Sequence, residues 1–258
     1  MKATFKSPGG RLAVALLMLF VAAKAFAEWS AGNPSAERAR AQLAEARSRY
    51  QADGDSPTNA AQLACACYDA ADIATNDAER ASLAREGIAG CRKSIVAKAD
   101  YAGTHYYLGM NYGQLAQTEQ FWTALNLVRE MEHEFKTAAG LDPLFDYAGP
   151  ERNLGLLYFQ APGVVSIGSN RKARAYLESA AKLAPDYPEN LLNLAEAYLR
   201  WNDPGKAGVE LKLLEAAWPK AQTNFASAAW MENWDDWTTR RDEVAKALEK
   251  VSLKKSGK

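Results

Sequence analysis

The chain has 258 residues, with 31 Lys+Arg against 31 Asp+Glu, two histidines and three cysteines. Formal neutrality without a basic stripe leaves nothing to neutralise a run of phosphates, which excludes nucleic acid as a partner. The length suits one substantial domain.

Lys2, Lys6 and Arg11 precede an apolar run of twelve residues, 12–23, and Ala25-Phe26-Ala27 supplies the small-x-small pattern that a signal peptidase cuts after. The run is too short to span a membrane stably, so residues 1–27 read as a secretory signal peptide cleaved near Ala27. The expected location is periplasmic or secreted. No other segment approaches that apolar length, so no transmembrane segment is expected in the mature chain. No cysteine adjoins the cleavage point, and the sequence therefore gives no lipid anchor. The leader takes four positive charges and no negative ones, leaving 27 basic against 31 acidic side chains.

Helix signals then run from end to end. Asn33-Pro34, Ser56-Pro57 and Asp203-Pro204 each place a capping side chain before a proline, the preferred opening of a helix. Asn76-x-x-Glu79 has the form of a capping box. Between these marks lie Ala/Leu/Glu/Arg-rich stretches with helical spacing, such as "SAERARAQLAEARSRYQ". Residues 28–57 are expected to form a leading helix and linker. Residues 58–74 and 76–97 are expected to form a helix pair.

The organising feature is a repeat of 34 residues. Ala173, Leu177, Ala180 and Pro185 return as Ala207, Leu211, Leu214 and Pro219. Ahead of the second set come Leu191, Leu194, Ala195 and Tyr198. These fill the tetratricopeptide (TPR) positions: bulky, Leu, small and Tyr in helix A, small and bulky in helix B, then a closing proline. The small residues let two helices approach, and a single pair cannot bury its apolar face, so pairs must stack. Leu108, Gly109 and Tyr112 fit an earlier helix A. Prolines 143, 185 and 219 stand 42 and then 34 residues apart, so the middle unit carries an insertion. Within it, "GPERNLGLLYFQAPG" is expected to be a helix A opened near Pro150 and stopped by Pro162-Gly163. The expected fold is all-α, a TPR-like helical-hairpin solenoid over 58–219, with capping helices over 220–250 and a flexible tail over 251–258.

Three stretches, "THYYLGMNYGQLAQ", "LDPLFDYAGPERNLGLLYFQAPG" and "KARAYLESAAKLAPDYPENLLNLAEAYL", resemble the periplasmic TPR proteins that form the T component of TRAP transporter systems. More distantly they resemble the regulator-of-microtubule-dynamics TPR proteins. The resemblance covers roughly residues 58–219, and its most specific part is the Gly-Pro-x-Arg…Leu-Gly…Ala-Pro-Gly run around 149–163. It implies a helical repeat fold, association with an extracytoplasmic solute-binding subunit, and a hydrophobic ligand channel between helices.

Enzyme chemistry finds no residues to carry it. No GxSxG, GxGxxG or P-loop run occurs, and "HEFKT" lacks the second histidine of a helical zinc site. No catalytic residue, metal ligand or cofactor is expected. His105 falls at the bulky position of a helix A, where it packs against its neighbour or serves a ligand. Cys65 and Cys67 lie two apart on one helix and cannot bond each other. Cys91 is offset from Cys65 by about 7 Å along the axis, which strains a disulfide. Three small buried thiols, or one disulfide with a spare thiol, both remain open. Trp230, Trp234 and Trp237 share one helix face, to seal the last repeat or to make a ligand platform.

The expected role is binding: an exported TPR scaffold for a partner protein, an accessory of a TRAP-type uptake system docking a periplasmic solute-binding subunit. The alternatives are a carrier of an apolar small ligand inside the solenoid and a general envelope-assembly scaffold. A homo-oligomer is compatible with either. The residues expected at the partner or ligand site are Tyr112, Phe121, Trp122, Arg152, Tyr158, Phe159, Val165 and Ile167. The aromatic ones would line an inner surface, and the apolar loop of Val164, Val165 and Ile167 would fill or border the gap left by the shortened helix.

Overall fold

The structure, a computed structural model, describes residues 34–97 and 100–256; the signal peptide and its cleavage point lie outside these residues. Ten α-helices follow one another among the described residues: α1 (Pro34–Ala52), α2 (Pro57–Asp72), α3 (Asp77–Ala97), α4 (Ala102–Ala116), α5 (Phe121–Leu141), α6 (Phe145–Gln160), α7 (Asn170–Leu183), α8 (Pro188–Arg200), α9 (Pro204–Asn224) and α10 (Met231–Ser256). A 3-10 turn, Ala228–Trp230, precedes the last of them.

Two compact units divide the chain: one holds the residues up to Phe145 together with Gln160–Ser169, the other holds Asp146–Phe159 and the residues from Asn170 on. In the first unit α2 packs on α1, α3 and α4, and α4 packs on α5. Small side chains make this close contact: Ala60, Ala64, Ala71, Ala84 and Cys91 are each fully buried. In the second unit α8 is central, with α7, α9 and α10 packed on it. Every TPR-position residue there that the repeat predicts to be inside is inside, from Ala173, Leu177 and Ala180 to Leu191, Leu194, Ala195, Tyr198, Ala207 and Leu214.

The helix starts follow the capping chemistry. Ser56 Oγ accepts from the Asn59 amide, and Asp203 Oδ1 accepts from the Lys206 amide, each ahead of a proline at the first helical position. Asn76 Oδ1 accepts from the Glu79 amide at 2.9 Å, but the Glu79 carboxylate reaches back to Thr75 N, one residue beyond the usual capping-box partner. α8 ends in a Schellman motif. Asn202 takes φ 57°, its amide donates to Leu199 O, and the Asp203 amide donates to Tyr198 O.

One closing signal reads differently in the structure. Pro219 does not end its helix; α9 runs through it to Asn224. The missing N–H leaves the Glu215 carbonyl without its helical donor, and the helix absorbs this near its end, where the Thr223 hydroxyl donates to Pro219 O. Chain reversal falls instead at Phe225, a buried ring.

No disulfide joins Cys65, Cys67 and Cys91; the last two are buried, and the Cys65 thiol lies 3.9 Å from the Asp69 carboxylate. Burial, with a smaller contribution from the Glu86 carboxylate, pushes the Cys67 thiol up to about 12. Burial likewise raises Cys91. Native protein titrated with Ellman's reagent at neutral pH is expected to release one fast thiol, from Cys65, and all three only after denaturation. Two or three fast thiols in native protein would contradict this packing.

Candidate functional site

The second unit opens on a short left-handed turn. Asp146, Tyr147 and Ala148 have φ of 50°, 55° and 63°, and the right-handed helix runs on from there to Gln160. None of the three is glycine, and each left-handed L-residue costs roughly 1–2 kcal/mol. Pro150 follows, and lacks the N–H that would bond Asp146 O in a continuous helix. Side chains supply the missing donors. Arg152 donates to Asp146 O, to Tyr147 O at 3.2 Å, and to the Asp146 carboxylate at 2.9 Å. Asn190, fully buried at the start of α8, donates to Tyr147 O at 2.9 Å and accepts from Arg152 at 3.1 Å.

The same Asn190 amide also donates to Ala180 O in the last turn of α7 and to Ala184 O just beyond its end. One side chain therefore ties the entry of α6, the exit of α7 and the entry of α8. The turn aims Tyr147 onto an aromatic cluster. Its ring stacks on Tyr187 at 4.7 Å and meets Phe225 and Trp230 edge-on. Arg152 lies 5.0 Å over the other partner, Tyr187, whose hydroxyl is held in its neutral form chiefly by burial. Trp237, fully buried, completes the cluster from α10. The three tryptophans do not share one helix: Trp230 stands on the 3-10 turn and Trp234 and Trp237 on α10, with the half-buried Trp230 and Trp234 both packed against the buried Trp237. Arg240 locks α10 onto α8 with two bonds to the Glu196 carboxylate.

Gly155 sets the α6–α7 approach: a β-carbon there would stand 2.6 Å from Leu177 Cγ and 3.0 Å from its backbone nitrogen. In the first unit the loop after α6 closes through Gly168, where a β-carbon would meet the Ala161 carbonyl oxygen at 1.9 Å.

Between α7, α8 and α9 the second unit leaves an open groove of about 620 Å³. Leu191 and Leu194 of α8, Ala181 of α7, and Leu213, Ala216 and Ala217 of α9 make its apolar surface. Leu213 is 50% exposed and is the large aliphatic side chain of this lining that solvent reaches. Glu178, Lys182 and Asp186 line it from α7 and the turn that follows, and Glu210 lines it from α9. Tyr198 donates its hydroxyl to Glu178. Burial, and then the negative charge of Glu178, hold the Glu210 carboxyl above its ordinary range against the opposing pull of Lys206.

The residues named from sequence fall in several places. Tyr112 is buried on α4, with its hydroxyl accepting two bonds from Arg92. Tyr158 is buried on α6 and stacks on Tyr176. Arg152 is the buried clamp. Phe121 is half-buried at the start of α5, edge-on to Trp122, which is 73% exposed. Phe159 is half-buried between Trp201 and Arg200. In the loop Val164 is fully exposed, Val165 partly so, and Ile167 half-buried. The groove residues were not among those named. Their signal was present: Leu213 lies between the repeat positions Leu211 and Leu214 and has no place in the repeat pattern. His105 is buried, its Nδ1 2.6 Å from the Glu134 carboxylate.

No family profile matches the chain, and no curated protein matches it. Among solved structures, a thermophilic TPR protein from Thermus thermophilus is similar to it, with a TM-score of 0.55 and 17% identity over 93% of this chain and 99% of that one. The fold is TPR-like. That likeness fixes architecture, and function has to be argued from the site. Among the described residues no group of three His, Cys, Asp or Glu side chains could hold a metal, and no helix is long and apolar enough to cross a membrane.

Arg152→Ala is expected to lower unfolding stability by about 3 kcal/mol, because it leaves buried carbonyls and the Asp146 carboxylate without their donor. Arg152→Lys recovers only part of that, since a single ammonium cannot serve the forked set of acceptors. Urea denaturation checks both. A loss below about 1 kcal/mol for Arg152→Ala would show that the clamp does not hold the turn.

Proposed function

We propose that this chain is an exported TPR scaffold whose task is to bind another protein, as an accessory of a TRAP-type solute uptake system that docks a periplasmic solute-binding subunit. The observation that carries the binding role is the open groove of the second unit. Its apolar surface and acidic edge are presented by three helices that the clamp and the small residues of the repeat hold rigidly. A concave, partly apolar surface with a few placed polar groups is the form a recognition site takes. The TRAP assignment rests on the sequence resemblance around 149–163 and on the export signal in residues 1–27. Of the residues named from sequence, Trp122, Val165 and Ile167 reach solvent in the first unit and are proposed as further contacts of that unit.

Tagged protein isolated from the periplasm of its own host is expected to enrich a solute-binding subunit. The Val165→Asp, Ile167→Asp double variant is expected to lose that enrichment with unchanged helix content by circular dichroism. Isolation of the wild-type chain with no solute-binding subunit would overturn the TRAP assignment. Isolation from the variant at the wild-type level would remove the loop from the contact surface.

A further inference from the structure

The groove between α7, α8 and α9 carries more information than its size. Its lining holds three carboxylates, Glu178, Asp186 and Glu210, against one ammonium, Lys182. Asp186 is already paired with Lys220. Glu178 is exposed, Glu210 half-buried, and they approach from opposite walls with Tyr198 between them. Arg174 and Lys206 lie at 5.4 and 5.2 Å over the Tyr198 ring, and the Lys206 charge also acts on Glu210. Two like charges sharing a partly desolvated site repel each other, and a cation placed between them relieves that repulsion. Beside them Leu213, Ala216 and Ala217 offer an apolar surface that water covers in the free protein, laid over the buried Leu191 and Leu194.

Resting on the scaffold reading above, we propose that this groove docks a partner segment in which a lysine or arginine stands between apolar side chains. The cation sits between Glu178 and Glu210, and the flanking apolar side chains cover Leu213, Ala216 and Ala217 on α9. The two carboxylates select for the cation and orient the segment, while the apolar contact supplies most of the binding free energy.

The test pans a phage-displayed library of random linear peptides against the purified protein, then against Glu178→Gln/Glu210→Gln. Glutamine keeps an acceptor for the Tyr198 hydroxyl, and circular dichroism confirms that the variant folds. The wild type is expected to enrich peptides with a basic residue flanked by apolar ones. A synthetic copy of the leading peptide should bind the double variant on the order of tenfold more weakly, about 1.4 kcal/mol. The same loss should follow when citrulline replaces the arginine of that peptide. Enrichment of acidic or neutral peptides, no enrichment, or equal binding to the variant would each overturn the proposal. So would a concentration-dependent dimer abolished by the same substitutions, which would assign the groove to a second copy of the chain. If the solute-binding subunit still co-purifies with the double variant, the groove assignment fails while the scaffold reading stands.

Discussion

Three consecutive left-handed residues without a glycine need an external partner, and in this protein the partner is the guanidinium of Arg152. Pro150 withholds the backbone donor that a continuous helix would give Asp146 O, and the reversed twist turns the next carbonyl away from the helix as well. Arg152 and Asn190 replace both. Roughly 3–6 kcal/mol of conformational cost is thereby set against a part-buried polar cluster centred on the buried Arg152 and Asn190. Because Asn190 also bonds the carbonyls of Ala180 and Ala184 at the exit of α7, the cost of the turn is tied to the register of three helices. The turn and the helix packing therefore stand or fall together.

The groove depends on that register. Its walls are α7 and α9, its floor is α8, and the α7–α8 junction is where Asn190 and the stacked Tyr147–Tyr187 pair sit. Trp237 and Arg240 brace α8 from the other side, which leaves α10 as a cover for the apolar end of the unit. A surface presented by braced helices loses little entropy on binding, and this preorganisation is what a recognition surface needs.

Much of this was legible from the residues. The 34-residue return of Ala173, Leu177 and Ala180 as Ala207, Leu211 and Leu214 places the helix pairs, and each of those residues is buried. Stops at Pro162 and caps at Ser56 and Asp203 follow from backbone chemistry. The left-handed turn was not legible, since Asp, Tyr and Ala carry no mark of positive φ and one of the donors that permit it lies 43 residues from the carbonyl it serves. Arg152 stood out in the Gly-Pro-x-Arg motif as a binding residue; only the fold shows that what it holds is the chain's own backbone. Pro219 shows the converse limit: a proline near a helix end does not terminate it when one lost bond is all that continuation costs. The groove was hard to read because Leu191 and Leu194 are themselves repeat positions and buried, and only Leu213, outside the pattern, marks the surface beside them.

The dependence of the turn on two side chains acting together is open to one direct measurement. In a double-mutant cycle between Arg152→Ala and Asn190→Ala, read by urea denaturation, the losses are predicted to be non-additive, with a coupling of about 1–2 kcal/mol. Each residue alone leaves Tyr147 O and the other's polar group short of a partner, so the second removal costs less than the first. Strictly additive losses would mean that Arg152 and Asn190 act independently, and that no shared clamp sets the geometry of the groove-bearing unit.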